Sequence, residues 1–166
     1  MDVSHRKADR TMTIRRLLFP LLTLLVGFAL VACQTATTTL GGPDYDDFDY
    51  IEDYDEVFNR REGTYIVYLY SESCYTCNSI KDEVLAFAGA YADRTIYFLN
   101  VDNATATKET VFLTTLGKNE VGTPTLLLIK DSGFDKNASS RYFFTGSSPI
   151  LSIINDLENG DYPYWN

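Results

Sequence analysis

Two cysteines, Cys74 and Cys77, are separated by two residues in the stretch SESCYTCNSIKDEV. This stretch lies where a run of β-forming residues gives way to residues with helical spacing. A cysteine pair of this kind can supply two ligands to a metal, form a structural disulfide, carry redox chemistry or do none of these. The other possible ligands in the chain, and the elements around the pair, decide between these interpretations.

A metal site and a structural disulfide are both poorly supported. Tetrahedral zinc needs four ligands, and apart from this pair the chain offers only Cys33 and His5. We expect His5 to be removed with a signal peptide and Cys33 to carry lipid, so no metal is predicted. A disulfide between Cys74 and Cys77 closes a very short loop, which adds little stability by restricting the unfolded chain.

A redox role fits the same spacing. If a helix begins at the pair, free backbone N–H groups in its first turn favour the thiolate form of Cys74. Cys77 then lies one turn inside the helix, where it can attack a mixed disulfide and release the bound partner. Cys74 is therefore the predicted nucleophile, and Cys77 is the predicted resolving thiol.

The segments around the pair predict an α/β fold. A strand-like run at 64–70 precedes the pair, helical spacing follows it as far as Tyr91, and a second strand-like run occupies 95–101. Strand, helix and strand in this order form a βαβ unit with parallel strands, and a C-x-x-C in such a unit indicates redox chemistry. The later segments predict a helix ended by Gly117, a buried strand, an antiparallel strand and a helix opened by Pro149, at 103–117, 125–130, 141–145 and 149–158.

The N-terminal segment has the order of a targeting signal. Five basic residues precede an apolar run at 17–32, and this run is shorter than the ~20 residues that a membrane-spanning helix needs. LVAC at its end resembles the lipobox of bacterial lipoprotein signal peptides. We therefore predict a signal peptide at 1–32, lipid on Cys33 after cleavage and a flexible tether over 33–43, with an uncleaved signal anchor as the alternative. The folded domain is expected at 44–166.

The charge of the chain excludes some partners. The formal net charge is −9, and without residues 1–32 the chain has 9 basic and 21 acidic residues, a net charge of −12. Nucleic acid is therefore not an expected partner. Anionic lipid headgroups also repel an acidic surface, so we expect membrane attachment through lipid on Cys33 and not through the folded domain.

An acidic segment opens the domain, with eight Asp and Glu residues between Asp44 and Glu56. Apolar residues recur within it at helical spacing. This pattern predicts one amphipathic N-terminal helix whose acids are simply solvated. A calcium loop is not predicted, because the glycine and the carboxylate spacing of such loops are missing. The apolar residues of the predicted helix are Ile51, Tyr54, Val57 and Phe58.

A proline completes a second motif. Pro124, in VGTPTLLLI, stands directly before a buried strand, where proline is otherwise unfavourable. Together with CYTC, FLNVDN and the order of the elements, this resembles the thioredoxin family over about residues 50–158. The resemblance implies a mixed sheet of about four strands flanked by helices, with Pro124 in the cis form beside Cys74 and Cys77. It also implies that the backbone of Thr123 pairs with a substrate chain. The alternative is that Pro124 merely starts an edge strand.

The sequence departs from that family at the groups that handle protons and tune potential. Thioredoxins carry Trp-Cys-Gly-Pro-Cys, whereas this chain has Ser73 before the pair and Tyr-Thr within it. Tyr68 and Phe98 occupy the positions of the family's buried aspartate and of a lysine on the next strand. We expect both to be core residues, so ionisation of Cys77 would be difficult. The resemblance does not determine whether the cysteine pair acts as an oxidant or as a reductant.

The expected function is an extracytoplasmic thiol–disulfide oxidoreductase held at the cell membrane by lipid on Cys33. Its expected partners are exported proteins with thiols or disulfides, and a membrane or extracytoplasmic redox partner that recycles it. Cys74 and Cys77 would be catalytic, Thr123 and Pro124 would bind substrate, and no cofactor is expected. The alternative is a redox-silent binding module of the same fold on the cell surface.

Overall fold

A computed structural model describes residues 42–165. The predicted signal peptide at 1–32, the lipidation site Cys33 and all but the last two residues of the tether lie outside the described residues. Within residues 42–165, no helix has the length and apolar character needed to cross a membrane.

A four-stranded mixed sheet forms the centre of the domain, as predicted. Its strands run in the order β2-β1-β3-β4, with β2 parallel to β1 and the other two pairs antiparallel. All six residues of β1 are buried, which explains why this strand reads as a continuous β-branched and aromatic run without alternation. The strands are β1 Tyr65–Tyr70, β2 Ile96–Asn100, β3 Thr125–Ile129 and β4 Phe143–Thr145.

Within residues 42–165, four α-helices flank this sheet. The helical spacing after the cysteine pair belongs to two helices, which are separated by a break at Ile80. The third helix ends at Gly117 as predicted, because the chain there takes a left-handed conformation (φ +65°) that glycine adopts without strain. Pro149 lies in the first turn of the fourth helix and does not open it. The helices are α1 Tyr75–Ser79, α2 Lys81–Ala90, α3 Ala106–Leu116 and α4 Ser147–Glu158.

The two faces of the sheet bury separate apolar clusters, because alternate side chains of a strand point to opposite faces. On the face that we call the Cys77 face, Tyr68 and the other side chains of β1 that point to this side pack against Cys77 and the apolar sides of α2 and α4. On the opposite face, which we call the Asp53 face, Tyr65 and Val67 pack against α3 and the end of the acidic segment.

The acidic segment is not the single helix that its spacing predicts. It contains two 3₁₀ helices, Tyr45–Asp47 and Tyr54–Glu56. Between them the chain is bound to β2, where the N–H of Ile51 donates to the carbonyl of Phe98 at 2.8 Å. Asp44 and Asp53 each cap one of the short helices by accepting the N–H of the residue that follows. The prediction was wrong because capping and sheet pairing break the segment, while its apolar residues still face the core.

Asp53 is also not a solvated acid, since it joins the acidic segment to α3. Its carboxylate accepts the N–H of Thr105 at 3.1 Å and the Thr105 hydroxyl at 2.6 Å, and Lys108 Nζ lies 3.2 Å away. Burial alone raises the pKa of Asp53, but the hydrogen bonds from Thr105 and Tyr54 outweigh burial and lower the pKa to about 2. We call Asp53, Thr105 and Lys108 the Asp53 clasp.

Candidate active site

The cysteine pair lies where β1 leads into α1. Cys74 is the N-cap of α1 and is half-buried, whereas Cys77 lies inside the helix and is fully buried. The two residues form a disulfide, with their Cα atoms 5.2 Å apart. The backbone N–H of Cys77 donates to Cys74 Sγ at 3.0 Å. This N–H would stabilise negative charge on Cys74 once the disulfide opens, and Cys74 is the cysteine that a partner can reach.

A cis peptide bond between Thr123 and Pro124 places the second motif beside the pair. The carbonyl oxygen of Thr123 lies 3.3 Å from Cys74 Sγ, across 49 residues of sequence. Gly146 anchors the proline on its other side, because its N–H donates to the Pro124 carbonyl at 3.0 Å. The fold therefore brings together all four residues that the sequence singled out in this domain, although their roles in catalysis and substrate binding stay predictions.

The sequence reasoning missed Asp102, which fixes the loop before Cys74. One carboxylate oxygen of Asp102 accepts the Ser71 hydroxyl at 2.8 Å and the N–H of Glu72 at 3.0 Å. The Ser71 hydroxyl in turn lies 3.0 Å from the Ser73 hydroxyl. Asp102 lies two residues after the end of β2, and the carboxyl ends of parallel neighbours such as β1 and β2 meet at one edge of the sheet. Its position after the second strand of the βαβ unit was the sequence signal that could have identified Asp102.

The acids nearest to the cysteines in sequence are Glu72, Asp82 and Glu83. The side chain of Glu72 accepts a hydrogen bond from the amide of Asn100 at 3.2 Å, at the end of β2. Asp82 and Glu83 are exposed on α2. Tyr75, the residue after Cys74, is also exposed, so an aromatic ring stands free beside the half-buried sulfur.

Cys77 is surrounded by apolar and aromatic side chains of the Cys77 face. Tyr68 and Phe98 are buried, as expected for core residues. The hydroxyls of Tyr45 and Tyr68 are buried next to each other and have no other polar partner within residues 42–165. Burial, together with the neighbouring Tyr45, raises the pKa of Tyr68 far above its ordinary value, and burial also raises that of Tyr45. Both hydroxyls therefore stay protonated at neutral pH, and neither can act as the base that removes the proton from Cys77.

Comparison with known proteins identifies the fold. No family model matches the sequence, and no curated protein matches it. The oxidized form of mitochondrial thioredoxin 3 from Saccharomyces cerevisiae is similar in structure, with a TM-score of 0.51, 16% identity and coverage of 69% of this chain and 97% of that one. A chain from a structure of the thiol resolving mechanism in a yeast mitochondrial 1-Cys peroxiredoxin also has a TM-score of 0.51 and 16% identity, with coverage of 70% and 99%. The fold is thioredoxin-like, as predicted.

The chemistry open to this arrangement is thiol–disulfide exchange. An accessible sulfur and a buried sulfur are already bonded, and the cis-proline loop lies against the accessible one. In a thioredoxin-like fold, such a Cys-x-x-Cys pair suggests redox activity at this general level.

Proposed function

We propose that the protein is an oxidoreductase that reduces, forms or reshuffles disulfides of exported proteins outside the cytoplasmic membrane. One observation carries the proposal, namely the unequal exposure of two bonded cysteines, Cys74 half-buried and Cys77 fully buried. Unequal access assigns different steps to the two sulfurs, because a protein substrate can approach only Cys74.

The reaction in the reducing direction has two exchanges. The thiolate of reduced Cys74 attacks one sulfur of a substrate disulfide, which forms a mixed disulfide and releases the other substrate sulfur as a thiolate that takes up a proton. Cys77 then loses its proton and attacks Cys74 Sγ. This step forms the Cys74–Cys77 disulfide and releases the second substrate thiol. The opposite order transfers the disulfide to a substrate dithiol, with two electrons returned to the cysteine pair.

Thr123 and Pro124 are proposed to present the substrate. Pairing of β3 with its neighbours begins at Thr125, so Thr123 lies outside the hydrogen-bonded ladder. Its carbonyl faces Cys74 Sγ. An extended substrate segment can therefore pair with the Thr123 backbone while its sulfur lies over Cys74, since β-strand addition uses free backbone groups of this kind.

Attachment to the membrane is proposed through lipid on Cys33, with residues 33–43 as a tether. A reductase at that location needs a membrane or extracytoplasmic donor that reduces the Cys74–Cys77 disulfide after each turnover. Cys33→Ser should move the protein from the membrane fraction to the soluble fraction. Membrane association unchanged by Cys33→Ser would favour the uncleaved anchor instead.

The experiment that tests the activity is reduction of insulin disulfides by the full-length chain with dithiothreitol as donor. Cys74→Ser should reduce the rate to background, because no other accessible thiol in the domain replaces it. Ser152→Ala, a small change at an exposed position of α4, is the matched control and should retain the wild-type rate. Wild-type activity in Cys74→Ser would overturn the mechanism.

A redox-silent binding module is the second candidate, and the surroundings of Cys77 favour it. Cys77 lies among apolar and aromatic side chains, and the two buried tyrosines near it have raised pKa values. A thiol that ionises with difficulty exchanges slowly. A titration of the pair against glutathione buffers separates the two candidates, since a disulfide that remains closed over the whole physiological range would indicate a binding role.

A further inference from the structure

A groove of about 760 Å³ opens at the β2 edge of the sheet, beside the loop that carries Cys74. The acidic segment forms one wall, and the carboxyl ends of β1 and β2 form the other. Glu72 connects the groove to the cysteine loop, because it lines the groove and precedes Cys74 by two residues. A chain that lies over Cys74 can therefore continue into the groove.

The charge of the groove is strongly negative. Five carboxylates and one amine line it, and one of the five, Glu56, is paired with Arg60 at 2.7 Å. The amine belongs to Lys108, which is already paired with Asp53 and Asp55. Asp46 and Glu52 are exposed and form no hydrogen bond or ion pair with any residue in the described range 42–165. Their charges are therefore open to a cationic partner. The five acidic residues are Asp46, Glu52, Asp53, Glu56 and Glu72.

The groove also has aromatic walls, which is an observation independent of its charge. Tyr70 and Phe98 line it, and Tyr50 stands on its rim with 63% of its surface exposed. Burial, with the added repulsion from Asp46 and Glu72, raises the pKa of Tyr70 to about 12, so the ring is neutral at physiological pH. Exposed tyrosine rings attract lysine and arginine through the ring face and the aliphatic side-chain stem.

We propose that this groove binds a lysine- or arginine-rich segment of the protein substrate, close in sequence to the sulfur that Cys74 attacks. The inference rests on the proposed function and adds a substrate class to it. Carboxylates bind the cationic ends of the side chains, and Tyr50 contacts their stems. A substrate with acidic residues in the same segment is repelled by the groove, so the selection works in both directions.

Two measurements on the full-length chain test the groove. The first uses three disulfide peptides that differ only in whether Lys, Gln or Glu flanks the cysteine. The Lys peptide should be reduced about 10-fold faster than the Glu peptide at low salt, and the difference should shrink at high salt because the charges are exposed and screened. The double variant Asp46→Asn, Glu52→Gln should lose most of this preference. Glu158→Gln, at an exposed acid outside the groove, is the matched control.

The second measurement removes the redox step. A Lys-flanked peptide with serine in place of its cysteines should bind the oxidised protein more tightly than the Glu-flanked version. If the two peptides bind equally, or if the double variant keeps the full preference for the Lys-flanked peptide, the proposed role of the groove is wrong. Reduction of 2-hydroxyethyl disulfide, which is small and uncharged, reports on the Cys74–Cys77 pair without a contribution from the groove. If the protein does not reduce 2-hydroxyethyl disulfide, the result counts against the proposed function. Binding of the serine peptides still tests the role of the groove independently.

Discussion

The two faces of the sheet bury polar groups in opposite ways. On the Asp53 face, a carboxylate lies among donors from Tyr54, Thr105 and Lys108. On the Cys77 face, the hydroxyls of Tyr45 and Tyr68 have only each other as polar partners within residues 42–165. A buried polar group normally finds a hydrogen bond, because an unsatisfied one costs about 1–3 kcal/mol.

This difference indicates that burial has a different role on each face of the sheet. The Asp53 clasp joins two parts of the chain and stabilises the fold, so all of its polar atoms need partners. The Cys77 face surrounds the buried sulfur with apolar and aromatic side chains and contains two hydroxyls that have only each other as polar partners. Substitutions on the Asp53 face should therefore change stability, whereas substitution of Cys77 should change chemistry.

The largest expected effect follows from Cys77→Ser. Without the resolving thiol, the mixed disulfide on Cys74 should last at least about 100-fold longer, because an intramolecular thiol acts at a far higher effective concentration than a thiol in solution. Mass spectrometry of the protein quenched with acid during turnover measures the adduct. An adduct that decays at the wild-type rate would show that Cys77 does not resolve it, and would place the chemistry elsewhere.

Asp53→Ala should produce the largest loss of stability of the substitutions considered. It leaves the N–H and hydroxyl of Thr105 without their acceptor and should lower the free energy of unfolding by about 2 kcal/mol. Urea denaturation measures this loss. Asp53→Asn, which retains one side-chain oxygen, should lose less. Equal and negligible losses for both variants would mean that the Asp53 clasp does not stabilise the fold.

The pH dependence of stability tests the same carboxylate. The pKa of Asp53 is about 2 when folded, below its unfolded value of about 3.9, so the unfolded chain binds the proton first as the pH falls. Its stabilising contribution is therefore complete above about pH 4 and is lost as the pH falls towards 2. Urea denaturation across this range should show a steeper decline for the wild type than for Asp53→Asn. Parallel curves would contradict the lowered pKa.

The smallest expected effect is that of Tyr68→Phe. Removing a buried hydroxyl whose only polar neighbour is the hydroxyl of Tyr45 should change the free energy of unfolding by less than about 1 kcal/mol, because no well-formed hydrogen bond is lost. Thr105→Val, which removes a hydroxyl that has a partner, should cost more and serves as the comparison in urea denaturation. A larger loss in Tyr68→Phe than in Thr105→Val would break the contrast between the two faces.

Regular elements with a clear period could be predicted from the sequence. The four strands, the parallel βαβ unit and the end of α3 at Gly117 follow from local composition, spacing and turn chemistry. The placement of Pro124 beside Cys74 came from the family resemblance and not from spacing, because the two residues are 50 positions apart. Their proximity depends on how β1 and β3 pair in space.

The acidic segment shows why local patterns fail. Its apolar residues have helical spacing, and Ile51, Tyr54 and Val57 are buried, yet the chain between the two short helices pairs with β2. Asp53 carries the same local signal as the other acids around it, and its distinct role comes from Thr105 across 52 residues. Asp102 likewise acts on Ser71 from 31 residues away. Contacts of this range leave no mark on the periodicity of either segment.

The Asp53 clasp also bears on the order in which the chain folds. Thr105 precedes α3 but makes no capping hydrogen bond to that helix through its own side chain, and its hydroxyl goes to Asp53 instead. During synthesis the acidic segment emerges early, yet its partner is made 52 residues later. Closing so long a loop is entropically costly until β1 and β2 have paired. We therefore expect the acidic segment to join the domain late, as a seal over an already assembled sheet.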